Sequence, residues 1–193
     1  MAQQIEKHED LRIRRTRLLL QQAFTQLMME KHFQSITVQE ITDRAMVHRA
    51  TFYDHFVDKY DLLEYAIREQ FKQSLQQKLP REFECTPQNL NLLLATTCEF
   101  LLFLAGQCVA KDKQIMGMVQ TQITAQIQQI ILSWIQNVGF ETPTPQLTAT
   151  MTSWAIYGAG VYWSQNSTDM SLDDFVALTQ PALLATLGQG IQK

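Results

Sequence analysis

Residues 37 to 63 read TVQEITDRAMVHRATFYDHFVDKYDLL, and the reading of this stretch decides the fold. It opens on Thr37-x-x-Glu40, the spacing of a capping box, in which the threonine hydroxyl takes an orphan amide of the first turn and the glutamate reaches back. Val38, Ile41 and Ala45 follow at helical spacing on one face, which predicts a helix of about two turns. A break comes at Met46 and Val47. A second short helix then carries Phe52 and Phe56, spaced i and i+4, on its buried side, and Arg49, Thr51, Tyr53 and His55 on the other. Two short helices joined by a tight turn, the second polar and basic outward, describe a helix-turn-helix.

The same residues resemble the TetR family of transcriptional regulators. That family writes its recognition helix roughly T-F/L-Y-x-H-F, followed by x-x-K-x-x-L-L at the start of the next helix. Here the counterparts are Thr51, Phe52, Tyr53, His55 and Phe56, then Lys59, Leu62 and Leu63. Upstream, RTRLLLQQAFTQLMMEKHF (15 to 33) is similar to the family's first helix, so the resemblance covers about residues 12 to 66. It implies an all-α chain: a three-helix, helix-turn-helix DNA-binding domain over 1–57 (the motif itself about 37–56), and a helical ligand-binding and dimerisation domain over 58–193. Two departures stand out. Met46 occupies a turn position where many relatives have Gly, and a left-handed backbone there costs a non-glycine residue roughly 1 kcal/mol, tolerable if Met46 also packs. His48 stands where Ser, Lys or a small residue is commoner, so no operator sequence carries over.

Composition agrees with a binding module once charge is read by position. The chain has 193 residues, 46% hydrophobic and 18% charged, ordinary for a globular protein, and a net charge of −3. Residues 1–80 hold 12 of the 16 Lys and Arg against 11 acids, whereas residues 81–193 hold 4 against 8. Arg12, Arg14, Arg15 and Arg17 crowd together with no acid among them, and all four histidines lie at or before residue 55. The basic surface is local and accompanies the motif. Cys85, Cys98 and Cys108 form no CxxC pair and have no downstream histidine to complete a metal set, which predicts free thiols and a reducing cytoplasm. The opening MAQQIEKHED is polar, and apolar stretches such as 154–163 are short of a membrane span. No cofactor or metal is expected.

The remainder reads as helices. Asp58 caps one that runs to about Lys78 with Leu62, Leu63, Ala66, Ile67 and Phe71 on its apolar face; Pro80 ends it, and residues 80 to 87 form a polar connection. Leu90 to Val109 predicts the next, and Lys111-Asp112-Lys113 an exposed corner. Between Lys113 and Asp169 the only formal charge is Glu141, so the helices on either side of the turn Gly139–Pro145 are expected to show solvent little surface. The first, Gln114 to Val138, is the expected centre of its domain. The second places Leu147, Met151, Trp154, Gly158 and Val161 at steps of four, three, four and three, a heptad-like seam at which Gly158 and Gly160 would admit a neighbouring backbone. A last helix, Leu172 to about Leu187, carries Phe175, Val176, Leu183 and Leu187 and contains Pro181, expected to kink it. These two helices predict an intersubunit four-helix bundle, and the resemblance implies the same.

Candidate DNA contacts follow from chemistry and position. Arg49 heads the recognition helix and can fork onto guanine O6 and N7, with His48 and Gln39 as secondary base readers. Tyr53, His55, Lys59 and Thr37 are expected to grip phosphates. For Lys59 the reason is its place in a first helical turn, where a cation opposes the macrodipole unless an anion relieves it. The Arg12–Arg17 cluster is expected on the backbone, with Arg12 or Arg14 reaching a minor groove. Phe100, Phe103, Met116, Met118, Trp134, Tyr157 and Tyr162 could line a cavity for a small apolar or aromatic effector, or be ordinary core. Beyond residue 80 there is no histidine and no glycine-rich phosphate loop, so no catalytic constellation is expected. The reading is a homodimeric, ligand-responsive repressor on a palindromic operator. The alternatives are an activator, or a co-regulator of the same fold working through protein contacts.

Overall fold

A computed structural model of the chain describes residues 11–79, 84–106, 113–138 and 144–187. They form α1 (Leu11–Glu30), a 3-10 turn (Phe33–Ser35), α2 (Val38–Ala45), α3 (Arg49–Tyr53), α4 (Lys59–Lys78), α5 (Pro87–Ala105), α6 (Lys113–Val138), α7 (Pro145–Asn166) and α8 (Leu172–Leu187). Residues 139–143 of the expected turn Gly139–Pro145, the Lys111-Asp112 corner and Cys108 lie outside the described residues. The chain divides into two compact units, Met1–Ala66 and Ile67–Lys193. The expected division at 57/58 lies just before α4, whereas the units are divided within that helix, between Ala66 and Ile67.

The first unit closes around aromatic and aliphatic side chains contributed by every element. Leu20, Phe24, Phe33, Ile36, Ile41, Phe52, Phe56 and Leu62 are buried. Phe24 meets Phe33 edge-on at 6.1 Å, Phe33 meets Tyr60 at 4.9 Å, and Phe56 meets Tyr65 at 5.4 Å. Such pairs prefer edge-to-face geometry because the positive ring edge meets a negative face. Asp58 caps α4 as expected, accepting from the amides of Tyr60 (2.8 Å) and Asp61 (2.9 Å).

In the second unit α7 is the central helix, packed against α5, α6 and α8. This corrects the expectation that α6 forms the centre. Helix α6 buries a single stripe, Ile115, Val119, Ile123, Ile127, Ile131 and Trp134, and exposes Gln114, Thr121, Gln129, Ser133 and Gln136. Its lack of charge therefore reflects a solvent face built from neutral amides and hydroxyls. Gly160 lies where α5 crosses α7: a Cβ there would come within 2.9 Å of Leu101 Cδ1 and 3.2 Å of Thr97 Cγ2. Its close approach is inside the protomer. At Gly158, by contrast, a Cβ would meet nothing within 4 Å.

The proposed seam divides in the same way. Leu147, Met151 and Trp154 are 55%, 56% and 49% exposed, and Gly158 is exposed beside a half-buried Val161. Phe175, Val176, Leu183 and Leu187 are instead buried in the protomer's own core, because that side of α8 packs on α5 and α7. The outward side of α8 carries Ala177, Leu178, Pro181, Ala182 and Ala185. Helix α5 is long and apolar enough, by length and composition, to cross a membrane, unlike the shorter stretches judged from sequence; half of its apolar window is packed inside the unit.

Candidate nucleic-acid interface

The capping box at α2 is complete. Thr37 Oγ1 accepts from the Glu40 amide at 3.3 Å, and Glu40 Oε2 accepts from both the Thr37 amide and the Thr37 hydroxyl at 2.9 Å. Lys31 pairs with the other carboxylate oxygen. The Lys31 ammonium, aided by the two Thr37 donors, holds the Glu40 carboxyl down at about 2. Both Thr37 donors are thus given to Glu40 in the DNA-free protein. Arg44 is similarly engaged, donating to Glu30 on α1 (Nη2 to Oε2, 2.8 Å). These two ion pairs clasp α2 to the last residue of α1, Glu30, and to Lys31 just after it. They escaped the sequence reading because their partners are 9 and 14 residues apart.

Helix α2 ends in a Schellman motif. The Met46 amide donates to Asp43 O at 3.2 Å and the Val47 amide to Thr42 O at 3.0 Å, with Met46 left-handed at φ 54° and ψ 44°. Met46 is 89% exposed. It does not pack, so no burial offsets its backbone cost.

His48 follows as the N-cap of α3, in extended backbone and with no side-chain cap bond. Phe52 is fully buried and anchors the helix from below, while Arg49 and Tyr53 stand on one exposed flank. Arg49 Nη2 donates to the Tyr53 hydroxyl at 3.2 Å, and the guanidinium carbon lies 5.6 Å from the Tyr53 ring centroid. Thr51 and His55 are half-buried, and the His55 ring centroid is 6.5 Å from that of Phe56. Gln39 is exposed on α2, with its amide nitrogen donating to Asp43 Oδ1 at 2.7 Å.

Lys59 is placed differently from the expectation. Its ammonium donates to the carbonyls of Phe33 (3.1 Å), Gln34 (3.0 Å) and Ile36 (2.9 Å), and sits 4.6 Å from the Phe33 ring centroid. An ammonium has three donors, and all three are filled. Burial lowers its pKa from the ordinary lysine value, against the opposing pull of Asp58. The carbonyl cluster, not a phosphate, relieves the cation at the head of α4. Arg12, Arg14 and Arg15 are exposed on the first turns of α1, so Arg12 and Arg14 ride on a helix and not on an extended arm. Arg17 is half-buried with its guanidinium 5.7 Å from the Tyr65 ring.

Two of the expected effector residues share a cleft. Phe100 and Phe103 line a cleft of about 250 Å³ with Gln70, Ser74, Gln77, Lys78, Thr96 and Glu99, and Lys78 pairs with Glu99. Trp134 and Tyr157 lie in the core, Met116 and Met118 are half-buried, and Tyr162 is 62% exposed, stacked on Phe175.

Comparison with known proteins places this geometry. Residues 20–66 match the model of the bacterial regulatory proteins of the tetR family. The chain is 44% identical over 64 residues to YxbF, an uncharacterised HTH-type transcriptional regulator of Bacillus subtilis; the match spans 33% of this chain and 17% of that protein. A TetR transcriptional regulator from Rhodococcus sp. RHA1 superposes with a TM-score of 0.60 at 16% identity, over 91% of this chain and 97% of that one. The regulator FadR of Bacillus subtilis, in complex with stearoyl-CoA, does so with a TM-score of 0.51 at 17% identity, over 91% and 99%. Residues 20–66 thus carry the helix-turn-helix of the tetR-family bacterial regulatory proteins, and over the rest of the chain the likeness to the solved regulators is one of fold.

Proposed function

We propose that the protein binds double-stranded DNA in the cytoplasm as a homodimer, reads a palindromic operator, and represses transcription until a small effector releases it. The observation that carries this reading is α3: a short helix anchored by buried Phe52 that presents His48, Arg49 and Tyr53 outward from a doubly clasped α2. Exposed Arg12, Arg14 and Arg15 supply phosphate-binding charge on the same unit. Support for a dimer comes from the apolar α7 flank at Leu147, Met151 and Trp154, with Leu178 exposed on α8. An isolated surface apolar residue means little, whereas a periodic row of large ones marks an interface.

The cleft lined by Phe100 and Phe103 is the proposed effector site, a role supported by its aromatic floor and hydrogen-bonding walls. Helix α4 contributes residues to both compact units, so a ligand there would act through it. The effector must prefer the non-binding conformation, since equal affinity for both states shifts nothing. Selection of duplexes from a random-sequence pool by the full-length protein tests the reading. Enrichment of an inverted repeat with half-sites about 34–36 Å apart is expected. Failure to enrich any duplex would favour a co-regulator acting through protein contacts.

A further inference from the structure

The arrangement of Arg49 and Tyr53 allows more than two independent contacts. We propose that Tyr53 is the positioning residue for Arg49, and that its hydroxyl couples a backbone phosphate to guanine readout in the major groove. The inference rests on the DNA-binding reading above.

An exposed arginine samples many rotamers, and ordering it on DNA opposes binding. Here the side chain is held in advance. The Tyr53 ring packs edge-on against buried Phe52, with centroids 5.4 Å apart at 82°, and this contact restrains the ring. The guanidinium then lies over that ring and donates to its hydroxyl. Only one guanidinium nitrogen is used, Nη2, so donors remain on the fork for guanine O6 and N7. The Tyr53 oxygen accepts from Arg49, so its own proton is available to a phosphate oxygen, and no other bond of that hydroxyl occurs among the described residues. Phosphate, Tyr53, Arg49 and base would then form one chain. A tyrosine that only touched phosphate would add the same affinity to every sequence. One that also orients the base reader contributes more on the correct site.

The test is a double-mutant cycle on the full-length chain, using the duplex enriched from the random pool and a scrambled duplex of equal length. Tyr53→Phe keeps the ring beneath the guanidinium and removes the hydroxyl. With Arg49 present it is expected to weaken the enriched duplex about tenfold and the scrambled one about threefold, the losses of roughly two hydrogen bonds and one. In an Arg49→Ala background it should weaken both about threefold. Guanine preference at one half-site position should also relax in Arg49→Ala. In the DNA-free protein, Tyr53→Leu should raise the mobility of the Arg49 Nε–H in nitrogen relaxation measurements. Equal Tyr53→Phe penalties in both backgrounds, or unchanged Arg49 mobility, overturn the coupling while leaving DNA binding intact. A parent protein that enriches no duplex overturns the DNA-binding reading and this inference together. Both side chains are exposed, so unchanged melting temperatures of the variants are expected to show that folding is preserved.

Discussion

Lys59 Nζ donates to the carbonyl of Ile36 at 2.9 Å, and this bond, with its two companions at Phe33 and Gln34, ties the head of α4 to the turn before α2. A lysine at the edge of a helix-turn-helix unit invites a phosphate assignment. Geometry assigns it to the protein's own backbone.

Replacing Lys59 with Met should therefore destabilise the fold and leave the electrostatics of DNA binding nearly unchanged. Hydrogen bonds to a charged group contribute about 1.5–3 kcal/mol each in favourable cases, but loss of the methylene stem is avoided here, and water reaches part of the site. A loss of about 2 kcal/mol in urea unfolding is expected. The slope of log K against log salt should stay within error of the parent's. A slope reduced by about one unit would return Lys59 to the phosphate-binding set.

The capping box makes a pH prediction with a definite sign. Glu40 has its folded pKa depressed from 4.5 to about 2, chiefly by the Lys31 hydrogen bond and then by Thr37. Its contribution to stability is therefore present in full above the unfolded value and lost as pH falls from 4.5 towards 2. Glu40→Gln should remove this acid limb from the stability profile of the first unit. Chemical unfolding at a series of pH values, parent against variant, measures it. Parallel profiles through that window would mean the carboxylate is not held as described.

Met46 offers the opposite kind of change. A left-handed, solvent-exposed residue of a Schellman motif bears a steric cost that glycine does not. Met46→Gly should raise stability by up to about 1 kcal/mol, reduced by the greater freedom glycine has when unfolded. A melting temperature below the parent's would indicate that the Met46 side chain has a stabilising role that its exposure does not suggest.

These particulars mark where sequence is legible. The capping box, the Asp58 cap, and the bounds of α4, α6 and α8 follow from residues within a few positions of one another. So do the buried Phe52 and Phe56, because their spacing sets their face. The Lys59 contacts are not legible because its partners lie 23 to 26 residues upstream, and no spacing rule connects an ammonium to carbonyls that only the folded turn assembles. The run from 114 to 168, charged only at Glu141, is hard to read for another reason. Absence of charge resembles burial, yet glutamine and threonine solvate the α6 surface as effectively. The α8 apolar side was assigned outward because periodicity finds a face without saying what covers it; α5 and α7 cover it within the protomer.

The two glycines of α7 separate the fold from the proposed assembly. Gly158 faces open space and Gly160 faces Leu101 and Thr97, although only two positions divide them. Gly160→Ala would put a methyl group against α5 closer than van der Waals contact, and overpacking of this kind costs about 1–3 kcal/mol. It should lower the melting temperature of the second unit whatever the oligomeric state. Gly158→Arg would add a long cation to a surface with room for it, beside Met151 and Trp154 on the exposed flank. The isolated protomer should tolerate it, whereas a close apolar contact between copies would then bury an unpaired charge at a cost of several kcal/mol. Sedimentation at micromolar concentration should accordingly show Gly158→Arg as a folded monomer and Gly160→Ala as a destabilised dimer. A Gly158→Arg protein that remains dimeric would move the interface off this flank of α7.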